Sequence, residues 1–519
     1  MAPRVIESDV CIIGSGISAA MVAEKLAEER NLKIVVVEAG AESDPLKARL
    51  ALRRRFLDYG ESPWQNDHID GCDVEGIQSR SMQVGGLAMH WGGVTPRFSP
   101  DDFKQRSMHG VGTDWPISYE ELDPWYQEAE VRLGVAGEQG PKDLDPRGKP
   151  FPLPPLPLSY NLGLLKEWVG KAGIPMWSQP SAKNSTPYRG RPACCRNDTC
   201  TPVCPIGAKY SPDFTWNALR KDRKVELLTR AMVRRLVKET GGNRISHATG
   251  LALDGGGDLE FRAKVFVVAG GYVWSSHLLL LSDVANRSGL VGKYLTGHRN
   301  VNGYISLPIR LYPGMNGQHS LVSKKFMRAP RGDRYLRHDF RVWEASAGKD
   351  PRLTDDRGNV MLGNALLADW RRRTATGTAR VRAYYDVIPD RDSALSLDSA
   401  RKTPWGDPLP KLDWRDAPES AELRGFSEEK IRELFAELAR AGGGTVLSAR
   451  SDSFQDHPGG GCRMGDDPAT SVTDSWGRTH DHENLFVVGA PTAVSGGCAN
   501  GTLTFCALAL RSAAKIGQA

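Results

Sequence analysis

No stretch of this chain stays apolar over the roughly 18–20 residues that a bilayer-spanning helix requires. A membrane span is therefore not expected. No block of Lys and Arg stands out either. The 68 basic and 62 acidic residues are spread along the chain and leave a net charge of only +6. That pattern lacks the concentrated positive footprint of a nucleic-acid surface, and no nucleic-acid partner is expected. The polar opening, Met1 to Ser8, carries neither a cleavable leader nor a twin-arginine pattern. No C-x-x-C-H occurs, so the chain is not expected to hold a c-type haem. Internal repeats are missing. Cysteine is scarce: nine residues, an odd number, argue against a disulfide framework. The remainder, 40% hydrophobic and 25% charged over 519 residues, suits a globular enzyme of two or three domains.

What is present begins at once. Val10 to Ile13 is a short apolar run, and Gly14-Ser15-Gly16-Ile17-Ser18-Ala19 follows it directly. This fits G-x-G-x-x-G/A between a strand and a helix. The first glycine permits a tight turn, and the second lets backbone approach a pyrophosphate. The small Ala19 lets helix and strand pack closely. A second β-branched run, Ile34 to Val37, ends in Glu38 and Ala39. An acid 24 residues after Gly14 is placed to bond a ribose hydroxyl. A lone glycine fingerprint is weak, but the flanking strands and Glu38 make this one specific for a dinucleotide. Its place near the start of a long chain favours FAD over NAD by analogy of fold.

Further along, residues 140–160 are proline-rich and read as extended. Val225 to Arg235 reads as strand and turn. Val265 to Ala269 is a buried strand ending in Gly270-Gly271. Leu485 to Val488 ends in Gly489-Ala490 and leads, through a glycine-rich loop, to a helix from about Thr502 to Lys515. The same style at both ends implies an α/β fold, α+β overall. In it a Rossmann-like FAD-binding domain (1–110, 215–300 and 445–519) is interleaved with a sheet-containing substrate domain (300–445). The polar, arginine-rich 300–445 segment carries weak secondary-structure signals. Residues 111–214 form a connection holding four cysteines: Cys194, Cys195, Cys200 and Cys204.

That cluster, C-C-x4-C-x3-C-P, suits thiolate ligation of an iron–sulfur cluster. Structural zinc and disulfides remain as alternatives. Adjacent cysteines rarely both reach one centre. Cys194, Cys200 and Cys204 are therefore the expected ligands, with Cys195 spare.

With these motifs in hand, the chain resembles the glucose–methanol–choline (GMC) family of flavin oxidoreductases over nearly its whole length. The anchors are the N-terminal fingerprint, Val84-Gly85-Gly86-Leu87-Ala88-Met89-His90-Trp91, His457-Pro458-Gly459-Gly460-Gly461-Cys462-Arg463-Met464-Gly465, and Ser495-Gly496-Gly497-Cys498-Ala499-Asn500-Gly501-Thr502. Asp114-Trp115-Pro116-Ile117 and the cysteine motif through Cys204-Pro205-Ile206-Gly207-Ala208 narrow the likeness. They point to the large subunits of bacterial sugar dehydrogenases acting on glucose, gluconate, sorbitol or fructose.

The resemblance implies FAD held by the fingerprint, by Gly85, Gly86, Met89, His90 and Trp91, and by Val233, Ala269, Gly489, Ala490 and Thr502. It implies that His457 is the base for an alcohol proton, with Asn500 bonding the same hydroxyl. His90 is expected near the isoalloxazine, either packed or covalently linked to it. The cluster is expected to be three-iron, four-sulfur. A small export or chaperone subunit and a multihaem cytochrome c subunit are expected partners. They imply periplasmic or membrane-associated residence through a co-exported partner, or cytoplasmic residence without one. The expected activity is oxidation of a sugar CH–OH. A pyranose-oxidase-like enzyme making hydrogen peroxide, a glycoside 3-dehydrogenase, or a gluconate or polyol dehydrogenase are the alternatives.

Overall fold

The computed structural model describes all residues except 1, 30, 43–44, 65–66, 78–80, 197–199, 313–318, 329–333, 347–350, 356, 453–455 and 519. Two seven-stranded sheets organise it.

The first sheet is parallel at its centre, in the order Val225–Leu228, Ile34–Val37, Arg4–Ile13, Gly257–Val268. Leu485–Val487 pairs in parallel with the end of Gly257–Val268, through Leu485↔Phe266 to Val487↔Val268. Ile245–Ala252 and Ala231–Lys238 extend the other half as an antiparallel meander. All four residues of Ile34–Val37 are buried. Helices Ile17–Glu29 and Thr502–Ile516 cover one face and Gly271–Ser282 the other. A strand buried on both faces needs a continuous apolar run rather than an alternating one. Each fully buried Val, Leu or Ile there contributes roughly 1.5–3 kcal/mol.

The second sheet runs Thr445–Ser451, Thr296–Leu307, Gly377–Asp386, Phe340–Glu344, Leu321–Ser323, Trp177–Ser178, all antiparallel. Asp456–Gly459 pairs with the start of Thr296–Leu307. One face is apolar. Val301, Ile305, Val342 and Val381 pack on helices Pro418–Ala441 and Tyr160–Lys171. The other face alternates with it and is polar: Asn300, Asn302, Arg341, Arg380, Arg382 and Tyr384.

Two boundaries differ from the sequence reading. Thr445–Ser451 and Asp456–Gly459, placed with the cofactor domain by sequence, pair in the second sheet. Their partner is the long strand that begins at Thr296. Conversely, the hairpin Ala394–Lys402/Pro408–Asp413, read with the substrate domain, packs on helix Gly271–Ser282 beside the first sheet. Arg234 and Arg235 clamp it there through Asp407, at 2.6 and 2.8 Å. Among the described residues, no helix is long and apolar enough to cross a membrane.

Candidate active site

A cavity of about 800 Å³ opens at the carboxyl ends of the parallel strands and reaches the edge of the second sheet. Gly14 turns the chain there with φ +99°. A Cβ at this position would sit 2.7 Å from the Ala269 carbonyl oxygen, so only glycine fits. Glu38 braces the turn. One of its carboxylate oxygens accepts from the Ser15 backbone N–H at 2.9 Å and hydroxyl at 2.6 Å, and the other accepts from Gly40 N–H at 2.8 Å. Burial pushes the Glu38 carboxyl up, and these bonds oppose that shift.

Of the cofactor residues expected from sequence, Gly14, Ser15, Gly16, Ser18, Glu38, Ala39, Gly86, His90, Trp91, Val233, Ala269, Ala490 and Thr502 line the cavity. Four do not. Ala19 is fully buried where its helix packs on the sheet. Gly85 stands behind the wall, its N–H donating to the Ser15 hydroxyl at 3.1 Å. Gly489 backs Ser18, whose hydroxyl lies 2.2 Å from the position a Cβ would take. Met89 turns away altogether, because the short helix Gly86–Met89 carries its side chain into an apolar cluster with Trp64 and Val203. Met232, Arg234, Tyr272, Trp274 and Asp407 also line the cavity. They follow no motif and were not anticipated.

His90 presents Nε2 to the Asp67 carboxylate at 3.0 Å and sits edge-on to Trp64, with ring centroids 5.5 Å apart. Burial pushes its pKa down, and Asp67 opposes this.

At the far wall, His457 stands in the left-handed region, φ +48°. Non-glycine residues seldom adopt that conformation, and those that do cluster at functional sites. A continuous hydrogen-bonded chain passes through its ring. Asn500 Nδ2 lies 2.6 Å from His457 Nε2, His457 Nδ1 lies 2.8 Å from His298 Nε2, and His298 Nδ1 lies 3.3 Å from the Gly496 carbonyl. A carbonyl only accepts, so His298 carries its proton on Nδ1 and accepts at Nε2. His457 then carries its own proton on Nδ1, so its Nε2 lone pair is an acceptor and takes the Asn500 amide N–H. Burial pushes both imidazoles below the ordinary histidine range, keeping them neutral. Among the described residues, the buried Asn500 side-chain oxygen has no hydrogen-bond partner. Tyr384 donates to Asp456 at 2.9 Å, and Asp456 accepts the His457 backbone N–H at 2.9 Å.

His298 went unanticipated. It heads the alternation His298, Asn300, Asn302, Tyr304, and that polar period of two was the one available signal.

The cysteine loop packs behind His90. Trp64 donates to the Pro202 carbonyl at 3.1 Å, and Val203 joins Trp64 and Met89. Cys200 and Cys204 are buried, Cys194 is half-buried and Cys195 is exposed. Burial raises the Cys194 thiol, and the adjacent Cys200 and Cys204 raise it further. Two buried lysines face this group. Lys209 donates to the Trp91 carbonyl, and burial pushes it down to about 8. Lys183 is 1% exposed, and among the described residues its ammonium has no hydrogen-bond partner.

Residues 171–300 and 389–509 match the N- and C-terminal regions of the GMC oxidoreductase family. The chain is 30% identical to the fructose dehydrogenase large subunit of Gluconobacter japonicus, across 99% of this chain and 98% of that one. It is 28% identical to the 2-methyl-1,2-propanediol dehydrogenase of Mycolicibacterium austroafricanum, across 98% and 94%. Its fold is similar to that of a formate oxidase from Aspergillus oryzae RIB40, with TM-score 0.65, 15% identity and 99% of each chain covered. The chain belongs to the GMC oxidoreductase family. It is an FAD-dependent oxidoreductase of CH–OH groups, and the fingerprint turn and the roughly 800 Å³ cavity fit that cofactor.

Proposed function

We propose that this protein is a dehydrogenase that oxidises a CH–OH carbon of a sugar or closely related polyol, with His457 as the base. The observation that carries this reading is the hydrogen-bonded chain from Asn500 through His457 and His298 to the Gly496 carbonyl, with His457 on the cavity wall. Oxidising an alcohol to a carbonyl removes a hydride from carbon and a proton from oxygen. The bound flavin supplies the hydride acceptor. The substrate hydroxyl takes the place of the Asn500 amide at His457 Nε2 and passes its proton there, while Asn500 Nδ2 turns to donate to the same oxygen and orients it. His298 receives the Nδ1–H of His457 and so holds the ring in the accepting tautomer. Positioned general bases contribute about 10²–10⁴-fold.

Cys194, Cys200 and Cys204 would hold an iron–sulfur cluster, three-iron and four-sulfur by the family likeness, with exposed Cys195 spare. The orphaned Lys183 ammonium supports this. A buried cation with no partner is costly, and an anionic cluster beside it supplies the missing charge. Such a centre would supply one-electron transfer to an acceptor. The name of the Gluconobacter relative, a large subunit, supports an assembly with further subunits. The reading places a small export subunit and a multihaem cytochrome c with this chain in the periplasm or at its membrane.

Anaerobic titration with glucose, methyl glucoside, fructose and sorbitol, followed by flavin absorbance, tests the activity. Iron and sulfide analysis tests the cluster. Bleaching with about three irons per chain supports the reading. Bleaching without iron, reversed by oxygen with hydrogen peroxide released, makes the protein an oxidase instead.

A further inference from the structure

The polar face of the second sheet carries charge that the reaction above does not use. Arg380 and Arg382 lie two residues apart on Gly377–Asp386 and point to the same side. The Arg380 guanidinium donates to Asn302 Oδ1 at 3.0 Å, and Arg382 Nε donates to that same oxygen at 2.7 Å. Both guanidiniums stack on Trp343, 5.2 and 5.4 Å from its ring centre. Among the described residues, neither forms an ion pair. Among those residues, Arg380 Nε is buried with no hydrogen-bond partner, and so is one terminal nitrogen of the neighbouring Arg341, a residue 2% exposed. The carboxylates nearby are otherwise engaged: Asp339 holds Arg341, Asp452 accepts from Asn302, and Asp456 accepts from Tyr384. Two adjacent cations thus converge on a single neutral amide oxygen.

This charge adjoins the base. Arg382 donates to the Tyr384 hydroxyl and lies 5.1 Å from that ring's centre. The Tyr384 ring in turn lies 5.7 Å from that of His457. The Tyr384 ring thus stands between the Arg382 guanidinium and the His457 imidazole.

We propose that Arg382, with Arg380 beside it, binds a carboxylate on the substrate, so that the enzyme's preferred substrate is a sugar acid oxidised at a carbon remote from its acid group. A planar guanidinium pairs with carboxylate oxygens through parallel N–H donors, and the second arginine relieves its repulsion against the same anion. This inference rests on the assignment of His457 as the base of a carbohydrate dehydrogenase.

The test uses the holoenzyme and anaerobic flavin reduction. Gluconate and glucuronate are compared with glucose, sorbitol and glucose 6-phosphate, in the parent and in Arg382→Gln and Arg380→Gln. Both arginines are half-exposed, and retained flavin absorbance reports folding. The parent should favour an acid sugar. Arg382→Gln should lower kcat/KM for it about 10- to 100-fold, through KM, while neutral sugars change less than about twofold. Arg380→Gln should show a smaller loss of the same kind. Preference for neutral sugars, with equal behaviour of parent and variants, overturns the inference and leaves the dehydrogenase reading standing. Preference for glucose 6-phosphate overturns the carboxylate in favour of a phosphate ester. Failure of every compound to bleach bound flavin removes the dehydrogenase reading, and this inference with it.

Discussion

The two sheets solve opposite problems. The parallel sheet is buried on both faces and would meet the cofactor at its edge, through backbone turns such as Gly14. The antiparallel sheet packs an apolar face on helices, and its other face carries polar side chains, many of them buried: His298, Tyr384 and, on the strand paired beside them, His457. Binding therefore depends on backbone shape in one sheet and chemistry on side-chain identity in the other. Lesions in the two should separate.

The largest effect is expected for His457→Ala. Turnover with an artificial acceptor should fall about 10²–10⁴-fold, while the flavin spectrum stays that of the parent. Unchanged turnover would end the assignment. Gly14→Ala is the counterpart. Its Cβ meets the Ala269 carbonyl at 2.7 Å from a φ of +99°, a strain of about 1–3 kcal/mol. Purified protein should lose much of its FAD on gel filtration, yet refilled molecules should turn over normally. A variant that keeps FAD but loses turnover would break the separation.

His298→Phe removes the acceptor of the His457 Nδ1 proton. A roughly tenfold loss in kcat is expected, the value of about one hydrogen bond, with the acid limb of the pH profile displaced. A loss in KM alone would mean that His298 serves only to pack. The mildest expectation concerns the parent. Burial depresses the His457 pKa, and a base works only when neutral. Activity should therefore be full above that pKa and fall as pH drops through it, with a midpoint below about 6.5. A midpoint above 7 would assign the limb to another group.

The same contrast explains what could be read from residues alone. Gly14, Glu38 and Ala269 were legible because a tight turn at a strand end tolerates few residue types. His457 and Asn500 were legible through their glycine-rich surroundings. His298 was not, since one histidine in an alternating strand looks like any polar residue on a solvated face. Met89 was misplaced because a run of motif residues does not say which way a single helical turn points its last side chain. The boundary at 445 was missed because Thr445–Ser451 pairs with a strand about 140 residues earlier, and no local pattern encodes that register.

One loop holds both ends of the histidine chain. Gly496 receives its last proton and Asn500 supplies its first, four residues apart in Ser495–Thr502. A Cβ on Gly496 would meet the Gly297 carbonyl at 2.1 Å, so the loop cannot be re-seated piecemeal. It works as a clasp. The direction in which the two imidazoles point their protons is inherited from this single segment. The segment would therefore transplant between relatives only whole, carrying the polarity of the histidine pair with it.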